Sequence, residues 1–175
     1  MAKQTDVGND TIRVCVVAAD ATRARVFTLE DLQTPDGVPT LLERMTLVDP
    51  ARRSRPSEVF SDTRPGIDRA PSGRAFAFDD HRDDAMRRMD RAFAAEIADA
   101  IALVTRAHGS TKLILAASPR MLGFMRELAP VGGGELELRE IDRDLAHFTG
   151  PQLHDYLAKR GLLPARERLG AAAMP

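Results

Sequence analysis

Residues 12–30 read "IRVCVVAADATRARVFTLE", and their pattern decides what kind of fold the chain opens with. From 12 to 20 the run is rich in β-branched residues and nearly continuous in apolarity, the signature of a strand buried on both faces. From 23 to 30 the pattern alternates, with Arg23 and Arg25 set against Ala24 and Val26, then Phe27 and Leu29. Only Asp20, Ala21 and Thr22 separate the two runs, which predicts an antiparallel hairpin.

Working outward, "QTPDGVP" (33–39) is a turn by its Pro, Asp and Gly, and "TLLERMTLVD" (40–49) reads as a third strand. Its composition would also suit a helix, but ten residues between turn signals is short for one. A connection of about thirty residues, 50–79, follows without an apolar period, where ordinary connections run to roughly four to six. A long helix is then predicted, with Asp79 or Asp80 as cap and Asp83 and Asp84 in the first turn, where carboxylates meet the positive end of the dipole. Met86, Met89, Phe93, Ile97, Ile101 and Val104 form one apolar stripe, read as core-facing, and Gly109 stops the helix. "KLILAA" (112–117) is a buried strand, and Ser118 followed by Pro119 opens a helix with Met121, Leu122, Met125 and Leu128 inward. Pro130 and "VGGG" break that helix, and "ELELREI" (135–141) alternates acid and Leu as an edge strand does. A short amphipathic helix runs from Pro151 to Gly161.

Consecutive strands with short turns pair antiparallel, and strands separated by helices pair parallel. The expected fold is therefore α/β: a mixed five-stranded sheet, three antiparallel strands then two parallel ones, with helices packed on it. That element order is the one found in ribonuclease H-like folds. One domain is expected over 11–164, between a flexible start at 1–10 and a flexible tail at 165–175.

Composition excludes more than it reveals. A net charge of −1 with 29% charged residues gives no global attraction to nucleic acid or an anionic membrane. Among the cations only Lys3, Lys112 and Lys159 are Lys; the rest are Arg, so phosphate affinity would come from a local patch of guanidinium forks. The single cysteine, Cys15, sits in an apolar strand with no base near it in sequence, and reads as a small buried hydrophobe. The lone thiol suits a reducing compartment, and neither an export-type apolar segment nor a membrane-length run is present. A cytoplasmic protein with no membrane partner is the expectation.

Several segments together resemble a bacterial family named for attachment to host cells: "VVAADATRARVFTLE", the "RPG" and "SGR" elements of the long connection, "FAAEIADAI", "KLILAASPRMLGFMRELAP" and "EIDRDLAHFTGPQLHDYL". The resemblance spans about residues 12 to 160, and its weight lies in the order and spacing of modest elements. That family is similar to the middle domain of archaeal and eukaryotic peptide-chain release factors and of the ribosome-rescue protein Pelota. The likeness implies a ribonuclease H-like fold. In release factors the loop before the long helix carries Gly-Gly-Gln; here 50–79 holds Arg64-Pro65-Gly66 and Ser72-Gly73-Arg74 instead. The Gly run at 132–134 lies in another connection and is followed by Glu135. Peptide release by that mechanism is not implied.

No catalytic constellation emerges, and the reading leans away from an enzyme. Metal-dependent hydrolysis needs several converging carboxylates. Asp20, Asp142 and Asp144 are available, but the fourth strand ends in Ser118 where such enzymes supply an acid, and the direction of Glu96 is not set by the stripe. These acids read more simply as turn, capping or solvated groups. His81, His108, His147 and His154 show no ligand spacing. Ser118 lacks the Gly flanks of a nucleophile elbow, and neither G-x-G-x-x-G nor G-x-x-x-x-G-K-[ST] occurs, so no metal and no cofactor is expected.

Surface recognition remains. Residues 51–74 set Arg52, Arg53, Arg55, Arg64, Arg69 and Arg74 against Glu58, Asp62 and Asp68. Ser118 and Arg120, at a helix start beyond a parallel strand, offer a second place for an anion. The leading expectation is a non-catalytic module contacting the ribosome, tRNA or rRNA through the arginine connection. The alternatives are an intracellular protein-interaction factor with an indirect part in host attachment, and a metal-dependent nuclease or other hydrolase centred on Asp20 and Asp144. The acid–Leu strand at 135–141 also offers an edge on which two copies could pair into a dimer.

Overall fold

The structure, a computed structural model, describes residues 13–30, 38–49, 77–128 and 136–166. Expectations for 1–10, for the arginines of 51–74, for the Gly run at 132–134 and for the end of the tail fall outside these residues.

Five strands form one sheet: β1 (Val14–Ala19), β2 (Arg23–Glu30), β3 (Thr40–Val48), β4 (Lys112–Ala117) and β5 (Glu137–Asp142), in the order β3-β2-β1-β4-β5. β2 is antiparallel to β1 and β3, whereas β4 runs parallel to β1 and β5 parallel to β4. The mixed α/β sheet read from the element order is therefore the one observed. β1 lies at the centre, and all six of its residues are buried, as its unbroken apolarity requires. Residues 40–48 are a strand and not a helix.

Helices cover both faces. α1 (Ala77–His108) and α2 (Pro119–Leu128) lie over one face, with Phe93, Ile97, Ile101, Met121, Leu122 and Met125 packed on Cys15, Val17, Val26, Leu113 and Leu115. α3 (Gly150–Ala158) covers the other, where Leu145, Leu153, Leu157 and Leu163 meet Val14, Val16, Phe27 and Ile114. Burying a side chain of this size stabilises the fold by ~1.5–3 kcal/mol. α3 opens with a capping box: the Thr149 side chain accepts from the Gln152 backbone N–H, and the Gln152 side chain accepts from the Thr149 N–H.

Two details correct the sequence reading. α1 begins at Ala77, so Asp79 and Asp80 lie inside the helix and not before it. The stripe on α1 packs into the core only from Phe93 onward; Met86 is 36% exposed and Met89 half-buried. The cause is length. A 32-residue helix runs ~48 Å at 1.5 Å per residue, while the six residues of β1 span ~20 Å. Arg25 makes contacts on which the sequence reading was silent. Its side chain is only 16% exposed, bonds the Phe148 carbonyl and Glu43, and lies over the Phe27 ring.

Candidate functional site

The sheet topology brings the sequence-predicted residues to one end. β1, β3, β4 and β5 all point the same way, because β3 is antiparallel to β2 and β2 to β1. Their carboxyl ends therefore share an edge. At that edge lie the Asp20–Thr22 turn, Asp49 just past β3, Ser118 and Arg120 after β4, and Asp142 closing β5. The connection that holds Arg52, Arg53, Arg55, Arg64, Arg69 and Arg74 leaves β3 here, although those six arginines are outside the described residues.

Most groups at this edge have local work, while Asp142 is exposed. Asp20 turns its Oδ1 back on its own hairpin, accepting from the Thr22 N–H at 2.5 Å, the Thr22 hydroxyl at 2.6 Å and the Arg23 N–H at 2.8 Å. The Asp49 N–H donates to the Thr22 carbonyl at 2.8 Å, tying the end of β3 to that turn. Ser118 caps α2: its carbonyl accepts from the Leu122 N–H at 2.9 Å, and its hydroxyl lies 3.5 Å from the Met121 N–H. Asp144 accepts from the Ala146 N–H at 3.0 Å, shaping the turn before α3. Glu96 is exposed on α1, away from the sheet.

Arg120 is the one candidate whose partner was not foreseen. Its Nε meets Asp90 Oδ2 at 2.8 Å, with Asp90 almost fully buried and Arg120 half exposed. Asp90 had a signal in the sequence, since it stands three residues before Phe93 and seven before Ile97, on the inward stripe. The pair also fixes a level on α1. Residues 77–89, with no buried side chain among the described ones, form the ~20 Å of α1 before that level. This stretch carries Asp79, Asp80, Asp83 and Asp84 against Arg82, Arg87 and Arg88, an excess of one acid.

No group of three or more His, Cys, Asp or Glu side chains converges among the described residues. The imidazole of His147 sits 3.9 Å from Asp144 Oδ1 at the surface, whereas His154 is buried under α3. Cys15 is buried, and its thiol is pushed up to about 12 by that burial, which removes the thiolate needed of a nucleophile. No helix among the described residues is long and apolar enough to cross a membrane.

These features define a class: a mixed-sheet α/β protein whose chemistry-bearing residues are committed to turns, caps and ion pairs at the sheet's carboxyl edge. The chain belongs to the family described as "Protein required for attachment to host cells", whose model matches residues 15–157. A comparison with curated proteins finds no match. Among solved structures the chain is similar to a Ppx/GppA family member from Aquifex aeolicus, at 10% identity with a TM-score of 0.33. The match covers 74% of this chain and 35% of that one, so the chain spans about a third of that protein's length.

Proposed function

We propose that this family member is a non-catalytic cytoplasmic binding module, a single domain over 11–164 on the ribonuclease H-like plan of a release-factor middle domain, that engages ribosomal or transfer RNA through its arginine-rich connection. One observation carries the reading. The connection departs from the edge where four strands end and where the start of α2 presents Ser118 and the half-exposed Arg120. Residues 51–74 hold six arginines against three acids, a cationic excess along the sequence that the net charge of −1 conceals. The strand order β3-β2-β1-β4-β5 supports the fold-level likeness. The commitment of Asp20 and Asp144 to their own turns gives a metal-dependent nuclease no support in the geometry.

Ribosome co-sedimentation tests the proposal. Binding is expected at low salt, weakening as salt rises, with a shallower slope after Arg64, Arg69 and Arg74 are changed to Ala. Absence of binding at low salt, or a slope unchanged by the triple substitution, overturns it. The family's description favours a second reading, a protein-interaction factor acting indirectly in attachment. Co-purification from lysate separates the two, RNA in the bound fraction marking the first and protein alone the second.

A further inference from the structure

The chain after α3 is held by a histidine. α3 ends where Gly161 enters the left-handed region at φ 68°, with the Gly161 N–H on the Ala158 carbonyl at 2.9 Å and the Leu162 N–H on the Leu157 carbonyl at 3.1 Å. Leu163 then drops back into the core beside Leu153 and Leu157. Directly after it, the Pro164 carbonyl lies 2.9 Å from Nε2 of His154, whose residue is fully buried. A carbonyl only accepts, so Nε2 carries the proton. The other ring nitrogen, Nδ1, is buried and meets no hydrogen-bond partner among the described residues.

We propose that His154 is a proton-sensing latch that holds segment 161–166 against α3 near neutral pH and lets it open in acid. Protonation would place a charge and a second N–H donor at the buried Nδ1, where no acceptor among the described residues reaches; such burial is costly and is relieved when the ring meets solvent. Of the charged groups acting on the ring, Arg166 on the segment opposes the added charge and Asp155 on its own helix favours it. Arg166 also reaches Asp155 at 3.8 Å, closing the segment from outside. The sheet side chains clustered beneath α3, such as Val14, Val16 and Ile114, are apolar.

Burial, ahead of the neighbouring charges, holds the imidazole below its ordinary value of 6.5. The closed segment therefore binds fewer protons than the open one. Its stability is complete above pH 6.5 and is lost as pH falls from there through the closed-state value. One pH unit below the ordinary value, the open population should rise, by up to about tenfold. This inference is independent of RNA binding.

Hydrogen exchange on the full-length chain, corrected for intrinsic rates, tests it. The amides of Gly161 and Leu162 should exchange faster at about pH 5.5 than at about pH 7.5, by up to about tenfold, while β1 and β4 stay protected. The only tyrosine, Tyr156, is two residues from the latch in a chain without Trp, so its fluorescence should follow the same transition. His154→Gln keeps an N–H donor but does not titrate, and should abolish the acceleration; His147→Gln should leave it intact. Three results would each overturn the latch: no acceleration in the unmodified protein, acceleration that persists in His154→Gln, or loss of β1 and β4 protection at the same pH.

Discussion

Replacing Arg120 with Ala tests whether this guanidinium is part of the fold's framework. Two unit charges about 4 Å apart attract by ~4 kcal/mol at an effective dielectric of ~20. Arg120 is half exposed, so solvent screens much of that, while fully exposed pairs contribute only ~0.2–1 kcal/mol. Asp90 is 3% exposed, which places the pair between those limits, at ~1–2 kcal/mol. For a chain of this size that corresponds to a fall in Tm of about 3–6 °C. Equilibrium urea unfolding of the unmodified protein, Arg120→Ala, Asp90→Asn and the double variant supplies the cycle. The two single costs should not add, because each substitution removes the same ion pair. Arg120→Lys, which keeps the charge and loses the fork, should fall between the unmodified protein and Arg120→Ala. A cost for Arg120→Ala below ~0.3 kcal/mol, or fully additive costs in the double variant, would refute the reasoning. In that outcome Arg120 would be available for an anion, and its effect on ribosome binding should approach that of Arg64, Arg69 and Arg74.

Other expectations follow from single sites. Gly161→Ala should cost about 1 kcal/mol by chemical denaturation, since φ is 68° and an added Cβ meets nothing within 4 Å. Gly109→Ala should cost more, because at φ 58° its Cβ would stand 3.0 Å from the Arg13 guanidinium that bonds the His108 carbonyl; equal costs in the two variants would contradict this. Cys15 should react with a thiol reagent only in denaturant, as a buried thiol pushed up to about 12 has no thiolate near neutral pH; prompt labelling of the native chain would refute it. The Glu43 carboxyl is held below its ordinary 4.5, first by the hydrogen bond from Arg25. Its contribution to stability is therefore full above that pH and fades as acid titrates it, so Glu43→Gln should flatten the acid limb of a stability–pH profile.

The sheet was legible because strand patterns carry their own burial. The unbroken run of Val14–Ala19 could only be central, and six buried residues bear that out. Lys112–Ala117 was readable in the same way. The β2 pattern was harder. Arg23 and Arg25 alternate with Ala24 and Val26, yet Phe27 shares a face with Arg25 and is buried beneath α3. A strand covered on both sides can still hold an arginine when a carbonyl and a carboxylate meet it, and here Phe148 and Glu43 come from α3's approach and from β3. Those partners lie 123 and 18 residues away, beyond the reach of any local pattern. The α1 stripe erred for a related reason. Periodicity reports which side of a helix is apolar but not how far its partner extends, so Met86 matched the pattern and stayed 36% exposed.

The candidate site divides along the same line. Ser118 and Arg120 were found from local signals, a capping hydroxyl, a proline and a cation at a helix start. What Arg120 does depends on Asp90, thirty residues earlier in the chain, and therefore on how α1 crosses α2. Once that crossing is known, the cationic surplus of the carboxyl edge has to be recounted. Asp90 pairs with Arg120, so the start of α2 supplies no unpaired cation to this edge. The proposed RNA contact then rests on the arginines of residues 51–74. The consequence is a graded outcome for RNA binding: substitutions in the connection should change the salt slope by roughly one unit per lost phosphate contact, whereas Arg120→Ala should change stability and leave that slope nearly untouched.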